Sequence, residues 1–305
     1  MRTRRSLIDL DDLSSDEIDW IFERTQRFQT CAPGPLLHGI DAVNLFFEQS
    51  TRTFTSFNLA LMRLGANVVN LSPKDLSLAT KGETIEDTMV TLSAMGIHVL
   101  VVRHPEAGFP ARVAVSFDGH VVNAGDGTHA HPTQALLDLF TLHDEFGTLT
   151  GRSVAIVGDI AHSRVAHSTI RGLLRLGAQP ILVGPHLFLS PDDAVEGAVI
   201  EHDLDAVLGN VDAVILLRIQ RERFEHMPLS DREYIERYQL GSARLLRLPT
   251  HAIVMHPGPY NRGMELDDTV LEFAGWRYAR QVHNGVSIRM AVLDLLVNGV
   301  RERVG

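Results

Sequence analysis

The stretch Val43-Asn-Leu-Phe-Phe-Glu-Gln-Ser-Thr-Arg-Thr-Phe-Thr-Ser-Phe-Asn-Leu-Ala-Leu-Met-Arg-Leu-Gly65 decides the fold. Val43–Phe47 is a β-prone apolar run, and a polar segment follows it. Phe57, Ala60, Leu61 and Leu64 then recur at helical spacing, and Gly65 stands where a helix end takes a left-handed residue. A second β-rich run, Asn67–Leu71, comes directly after. Strand, helix and strand in such short compass form a crossover unit, which implies parallel pairing.

The alternation continues along the chain. Further strands are expected near Ile97–Val102, Val121–Asn123, Val154–Val157, Pro180–Val183, Ala213–Leu217 and Ala252–Met255. Before the first strand, Ser14 and Glu17 stand at capping-box spacing ahead of a helix whose one face carries Ile18, Ile21, Phe22, Thr25 and Phe28. Ile85, Met89 and Leu92 mark another helix, stopped by Gly96, and Gly147 ends a third. The small, polar segment Phe146–Gly151 precedes a fresh strand and marks a domain boundary. The expected architecture is α/β, with two doubly wound parallel-sheet α/β/α domains and a cleft between them. The first spans 1–147 and the second 148–285. A strongly apolar last helix, about Val286–Val300, has no strand after it, and 286–305 is expected to pack back on the first domain.

Composition narrows the function. A chain of 305 residues with 45% hydrophobic content can fill two cores. Its 28 Lys and Arg against 38 Asp and Glu leave a net charge of −10, which argues against partners bound through phosphate backbones or anionic membranes. Cys31 is the one cysteine, so no internal disulfide or multi-thiolate metal site is expected. The basic start, Met1-Arg-Thr-Arg-Arg, runs into Asp9, Asp11 and Asp12 without the apolar stretch of a signal peptide, and no apolar run approaches a membrane span. A cytoplasmic protein is expected. Only two of the 28 cations are lysines, Lys74 and Lys81, both in the polar segment Ser72–Thr84. A chain that writes arginine almost everywhere keeps lysine where a compact ammonium is needed, or the two fell together by chance.

Ligands of open α/β sheets bind beyond the carboxyl ends of strands. Six such ends carry polar, cationic or turn residues, and one cleft fed by two sheets is the natural reading. Ser50-Thr51-Arg52-Thr53 opens a helix, and hydroxyls with unpaired N–H groups beside a guanidinium suit a phosphate; ordinary N-capping by Ser50 or Thr51 is the alternative. No P-loop pattern is present. His131, before Pro132, starts another helix, where the dipole disfavours an imidazolium and leaves a ring able to donate to a carbonyl oxygen. A histidine that caps or packs, or one that joins His129 at a metal, is the competing reading. Gly158-Asp-Ile-Ala-His-Ser-Arg164 carries one glycine where a dinucleotide loop needs three, and Gly184 stands where a ribose-binding acid belongs. Arg103, Arg164 and Arg218 each fall at or just past a β run. They suit a substrate with several acidic groups or are solvated surface residues.

Taken together, these segments resemble the aspartate carbamoyltransferase catalytic chain, within the aspartate/ornithine carbamoyltransferase superfamily. The matching pieces are Phe46-Phe-Glu-Gln-Ser-Thr-Arg-Thr53, Lys81-Gly-Glu-Thr-Ile-Glu-Asp-Thr88, Val102-Arg-His-Pro105, Asn123-Ala-Gly-Asp-Gly127, His131-Pro-Thr-Gln-Ala-Leu-Leu-Asp-Leu139, Val157-Gly-Asp159, His162-Ser-Arg164, Leu217-Arg-Ile-Gln220, His256-Pro-Gly-Pro-Tyr-Asn-Arg-Gly263, and Gln281-Val282 with Asn284-Gly-Val286. They run from about residue 44 to 292 in the family's order.

The resemblance implies transfer of a carbamoyl group from carbamoyl phosphate to L-aspartate, giving N-carbamoyl-L-aspartate and phosphate in pyrimidine biosynthesis. By analogy, Ser50, Thr51, Arg52 and Thr53 hold the phosphate, and Thr53, Arg103 and His131 polarise the carbamoyl carbonyl. Gln134 and backbone groups at Pro257, Gly258 and Pro259 orient the amide. Arg164, Arg218 and Gln220 bind aspartate, with Lys81. In the family the segment carrying Ser77 and Lys81 reaches a neighbouring subunit's site, which implies a homotrimer, with regulatory chains or a dihydroorotase as further partners. No metal or organic cofactor is implied. Phe54 and Asn58 replace the Arg and Glu common in the family, a departure touching local packing.

The nearest rival is ornithine carbamoyltransferase. That enzyme usually shows His-Cys-Leu-Pro and Ser-Met-Gly segments, where this chain has His256-Pro-Gly-Pro259 and Arg218-Ile-Gln220. A non-catalytic paralogue serving as a structural partner is a second alternative, yet such chains lose His, Arg or Lys positions that are all present here.

Overall fold

The computed structural model describes residues 5–75, 82–189, 196–221 and 229–300. Along the chain the main elements are α1 (Ser15–Thr30), β1 (Asp41–Phe46), α2 (Thr51–Arg63), β2 (Asn67–Leu71), α3 (Ile85–Ala94), β3 (Val99–His104), α4 (Phe109–Ser116), β4 (His120–Asp126), α5 (Pro132–Phe146), β5 (Ser153–Val157), α6 (Arg164–Arg175), β6 (Gln179–Val183), β7 (Val199–Glu201), β8 (Ala213–Leu216), α7 (Asp231–Tyr238), β9 (Ile253–Met255) and α8 (Tyr278–Asn298). Every pairing between these strands is parallel. They form a four-stranded sheet of order β2-β1-β3-β4 and a five-stranded sheet of order β7-β6-β5-β8-β9. No helix among the described residues is long and apolar enough to cross a membrane.

The chain divides into two compact units. One comprises 1–137 with 282–305, the other 138–281. The first contains the four-stranded sheet. Its core is Val43, Leu45, Leu100, Val102 and Val121 of the strands packed on Met89, Leu92, Phe109 and Val113 of the helices and on Phe117 just past α4, at about 1.5–3 kcal/mol for each large side chain buried. Residues ahead of α1 line the outer edge of β4, where the Leu7 N–H donates to the Val121 carbonyl and the Asn123 N–H to the Leu7 carbonyl, each at 2.9 Å. The last helix belongs here from Val282 onward. Asp294 accepts from Arg24 at 2.8 Å, and the Arg289 guanidinium donates to the Ser56 hydroxyl of α2 at 2.8 Å. In the second unit Val157, Val183, Val214, Leu216 and Val254 pack with Phe188, Tyr234 and Tyr238.

The capping box at Ser14 and Glu17 forms as expected, and Gly65, Gly96 and Gly147 take φ of 81°, 83° and 75° just past their helices. Three boundaries differ from the sequence reading. The units part at 137/138 and 281/282, inside α5 and α8, rather than at 147/148 and 285/286: a long helix can serve one core with its first half and another with its second, which composition does not reveal. α8 begins at Tyr278 rather than Val286 because its first two turns are polar, though Gln281 and Asn284 there are buried. β7 is three residues long, too short for a periodic signal.

Candidate active site

In each sheet the strand order reverses once, between β1 and β3 and between β5 and β8, and such switch points are where open α/β sheets bind ligands. At the first, α2 begins with Ser50 at its N-cap, yet the Ser50 side chain makes no capping hydrogen bond and the first turn holds no acidic residue. Ordinary capping therefore does not account for Ser50, and the positive end of the helix has no carboxylate of its own to answer it. Thr53 is buried in the same turn. On the adjacent strand Arg103 is mostly covered; its Nε donates to Glu48 Oε2 at 3.1 Å and its guanidinium to the Ala124 carbonyl at 3.4 Å. The departures from the family pattern are local packing: Phe54 stands edge-on to Phe46 with ring centroids 5.3 Å apart, and the Asn58 amide donates to the Phe54 carbonyl at 3.2 Å.

His131 lies directly before α5, its carbonyl accepting from the Gln134 and Ala135 N–H groups at 3.0 and 3.1 Å, and both His131 and Gln134 are buried. His129 turns instead to Asp126, at 3.0 Å, and lies 3.8 Å from Asp9. Beside Arg103, His104 stacks on Phe109 with centroids 3.6 Å apart, and burial pushes its imidazole below the ordinary histidine range.

At the second switch point Gly158 has φ of +127°, and a Cβ there would stand 2.8 Å from the Leu217 carbonyl oxygen. Only glycine fits, and the reason is the close approach of two strand ends. Asp159, fully buried, draws the following groups together. Its Oδ1 lies 2.8 Å from His162 Nδ1, and its Oδ2 accepts from the Gln220 N–H at 3.2 Å, while the Gln220 amide donates to the His162 carbonyl at 2.6 Å. Gln220 is thereby fixed against the turn that leads into Arg164, the first residue of α6. Arg218 begins the same connection, its guanidinium 3.4 Å from the Ile219 carbonyl oxygen.

The loop after β9 hangs on a buried chain. Gln281 accepts from the His256 N–H at 2.9 Å and donates to Asp138 at 2.7 Å; His256 Nδ1 accepts from the Gly258 N–H at 2.8 Å, and its Nε2 lies 3.3 Å from Glu265. All four side chains are at least nine-tenths covered. Because Nδ1 is an acceptor, the ring hydrogen is assigned to Nε2. Glu265 also accepts from the Asn261 N–H at 2.6 Å. Pro257, Gly258 and Pro259 are held from beneath, with a cis bond between Gly258 and Pro259. Tyr234 lies under this region, and burial, aided by Glu265 and Asp159, pushes its phenol far above the ordinary range.

Of the residues expected in the site, Ser50–Thr53, Arg103, His131 and Gln134 fall within the first unit, and Arg164, Arg218, Gln220 and Pro257–Pro259 within the second. Ser77 and Lys81 lie outside the described residues. Lys74 sits exposed in a short helical turn with no role evident. The sequence reading missed Asp126, Asp159, His256, Glu265 and Gln281 as the groups that hold these residues. Asp126, Asp159 and His256 stand at or just past strand ends, which was their only signal; Glu265 and Gln281 carry none.

Two family models match the chain. One, "Aspartate/ornithine carbamoyltransferase, carbamoyl-P binding domain", covers residues 5–144, and the other, "Aspartate/ornithine carbamoyltransferase, Asp/Orn binding domain", covers 150–296. An aspartate carbamoyltransferase catalytic subunit of Salinispora arenicola is 53% identical over 270 residues, 87% of each chain. That of Acidothermus cellulolyticus is 47% identical over 97% of this chain and 93% of its own. Among solved structures, aspartate transcarbamoylase from Trypanosoma cruzi in complex with carbamoyl aspartate and phosphate superposes with a TM-score of 0.86 at 33% identity, covering 95% of both chains. With both of its domain models matched in order along most of its length, the chain belongs to the aspartate/ornithine carbamoyltransferase family.

Proposed function

We infer that this chain transfers the carbamoyl group of carbamoyl phosphate to the amine of L-aspartate, giving N-carbamoyl-L-aspartate and phosphate, as a step of pyrimidine biosynthesis. The observation that carries the reading is the start of α2, where a serine at the N-cap does not cap, no acid occupies the first turn, and Arg103 stands one residue before the end of the adjacent strand. The relatives named above as aspartate carbamoyltransferases, and the neighbour holding carbamoyl aspartate and phosphate, support the same reaction.

In this reading Ser50, Thr51, Arg52 and Thr53 bind the phosphate through hydroxyls, backbone N–H groups and a guanidinium. Thr53, Arg103 and His131 donate to the carbamoyl oxygen and stabilise the charge it gains when the aspartate amine attacks. Gln134 and the backbone at Pro257, Gly258 and Pro259 orient the carbamoyl amide. Arg164, Arg218 and Gln220 take the two carboxylates of aspartate. The C–O bond to phosphate then breaks, and the departing phosphate takes the amine proton. Because phosphate is already a good leaving group, positioning and charge neutralisation supply most of the acceleration. Incubation with carbamoyl phosphate and L-aspartate, followed by mass analysis, tests this: carbamoyl aspartate and phosphate in equal amounts are expected, and phosphate without carbamoyl aspartate contradicts it.

We further propose a cytoplasmic homotrimer in which the segment carrying Ser77 and Lys81 completes a neighbouring subunit's site, with regulatory chains or a dihydroorotase as outer partners. The support is an edge strand, β2, with Val69 exposed, beside α2, which exposes Met62. Such an uncovered apolar edge suits burial against a second copy. Mixing inactive Lys81→Ala and Arg52→Ala proteins is expected to restore part of the activity. Mixtures that stay inactive contradict the sharing.

A further inference from the structure

Asp126 ends β4 with its carboxylate fully buried. Its Oδ1 accepts from the Asn123 side-chain amide at 2.8 Å and the Ala130 N–H at 3.1 Å. Its Oδ2 accepts from the Gly108 N–H at 2.7 Å and lies 3.0 Å from His129 Nδ1. The Asp126 main chain also donates to the Ala130 carbonyl at 3.1 Å. Residues 126–130 are thus closed into a loop by one side chain, and His131 follows that loop directly.

The same residue acts on the sheet. β3 and β4 are in register with Val102 opposite Asn123, and pairing resumes with His104 opposite Asp126. One residue of β3, Arg103, therefore faces two of β4, Ala124 and Gly125. An extra residue in one strand bends it and re-aims what lies beside it. Here the Ala124 carbonyl is turned to the Arg103 guanidinium. The Gly125 N–H donates to Asn123 Oδ1 at 2.8 Å, with φ at +112°, a conformation open to glycine. The Asn123–Asp126 contact closes across this bulge like a staple.

We propose that Asp126 is a positioning residue for the reaction: its staple to Asn123 fixes the bulge that aims Arg103, and its hold on Ala130 fixes the turn that seats His131. This rests on the roles inferred above for Arg103 and His131. A carboxylate with a merely structural role would lower stability without regard to those two side chains, whereas a positioning role passes its effect through them. The two differ in a double-mutant cycle.

The test compares wild type, Asp126→Asn, His131→Ala and the double variant by steady-state kinetics with carbamoyl phosphate and aspartate. Asp126→Asn is expected to lower kcat about 10²-fold, the scale of a misplacement near 1 Å, with the KM for aspartate within about threefold. In the His131→Ala background the same change is expected to cost about tenfold or less, the share that passes through Arg103. A kcat for Asp126→Asn within threefold of wild type, or an undiminished loss in the His131→Ala background, overturns the assignment. Should Asp126→Asn not fold, Asn123→Ala carries the test, with about a tenfold loss expected and masking by Arg103→Ala; no loss, or an unmasked one, overturns it. A wild type that forms no carbamoyl aspartate overturns the function itself, a result distinct from an active wild type beside an unaffected Asp126→Asn.

Discussion

The guanidinium of Arg103 meets the carboxylate of Glu48 with Nε 3.1 Å from Oε2, and both side chains are largely covered. The carboxylate holds the arginine at the end of β3 before an anion arrives. A charge-assisted hydrogen bond contributes about 1.5–3 kcal/mol when buried, and the remaining exposure reduces that toward 1.4 kcal/mol, about a factor of ten. Glu48→Gln is therefore expected to lower kcat/KM about tenfold. Steady-state kinetics at saturating aspartate measure it, and an unchanged value would show that Arg103 needs no such partner.

Two serines at helix starts are expected to behave in opposite ways. Ser14 forms a true capping box with Glu17, whereas Ser50 makes no side-chain cap. Ser14→Ala should cost about 1 kcal/mol of stability and leave kinetics alone. Ser50→Ala should leave the thermal midpoint nearly unmoved and raise the KM for carbamoyl phosphate several-fold. Melting curves beside phosphate-binding titrations separate the two, and a destabilised Ser50→Ala with normal phosphate affinity would return that serine to ordinary capping.

Arg218 stands on the connection whose geometry Asp159 fixes through Gln220. In its proposed role as a fork for an aspartate carboxylate, Arg218→Ala is expected to raise the KM for aspartate about 10²-fold while the dissociation constant of carbamoyl phosphate stays the same. An equal loss for both substrates would place Arg218 elsewhere in the reaction.

Acid stability has a named contributor. The hydrogen bond from Arg5, followed by those from Ser14, holds the Glu17 carboxyl down at about 2, well below the 4.5 usual for a glutamate. A carboxylate depressed in the folded state contributes stability that is complete above its unfolded value and is lost as pH falls from about 4.5 toward 2. The pair is partly exposed, so solvent screening holds the effect to about 1 kcal/mol or less. Glu17→Gln should be less stable than wild type at pH 7 and converge with it near pH 2. A difference that persists unchanged at pH 2 would contradict the ion-pair account.

Much of this was legible in the chain because parallel strands ending in polar loops leave a local signature. Phe47 before Glu-Gln-Ser-Thr-Arg-Thr, Val102 before Arg103 and Leu217 before Arg218 each show apolar strand and functional residue side by side. The groups that aim those residues left no such trace. Gln281 reaches His256 across 25 positions and Asp138 across 143, and Asn123 and Asp126 looked like turn residues although both lie in a buried strand. Asn, Gly and Asp are poor strand formers, so β4 was expected to stop at Asn123; it continues because its polar side chains bond to one another and to the backbone. The first turns of α8 were hidden for the same reason.

A paired assay tests the identity of the two substrates most directly. Purified protein with carbamoyl phosphate is given L-aspartate in one reaction and L-ornithine in the other, with phosphate and carbamoylated product measured in both. Two arginines and a glutamine at the second switch point predict phosphate and carbamoyl aspartate in equal amounts with aspartate, and no product with ornithine. Carbamoylation of ornithine, or no phosphate release with aspartate, would contradict the account.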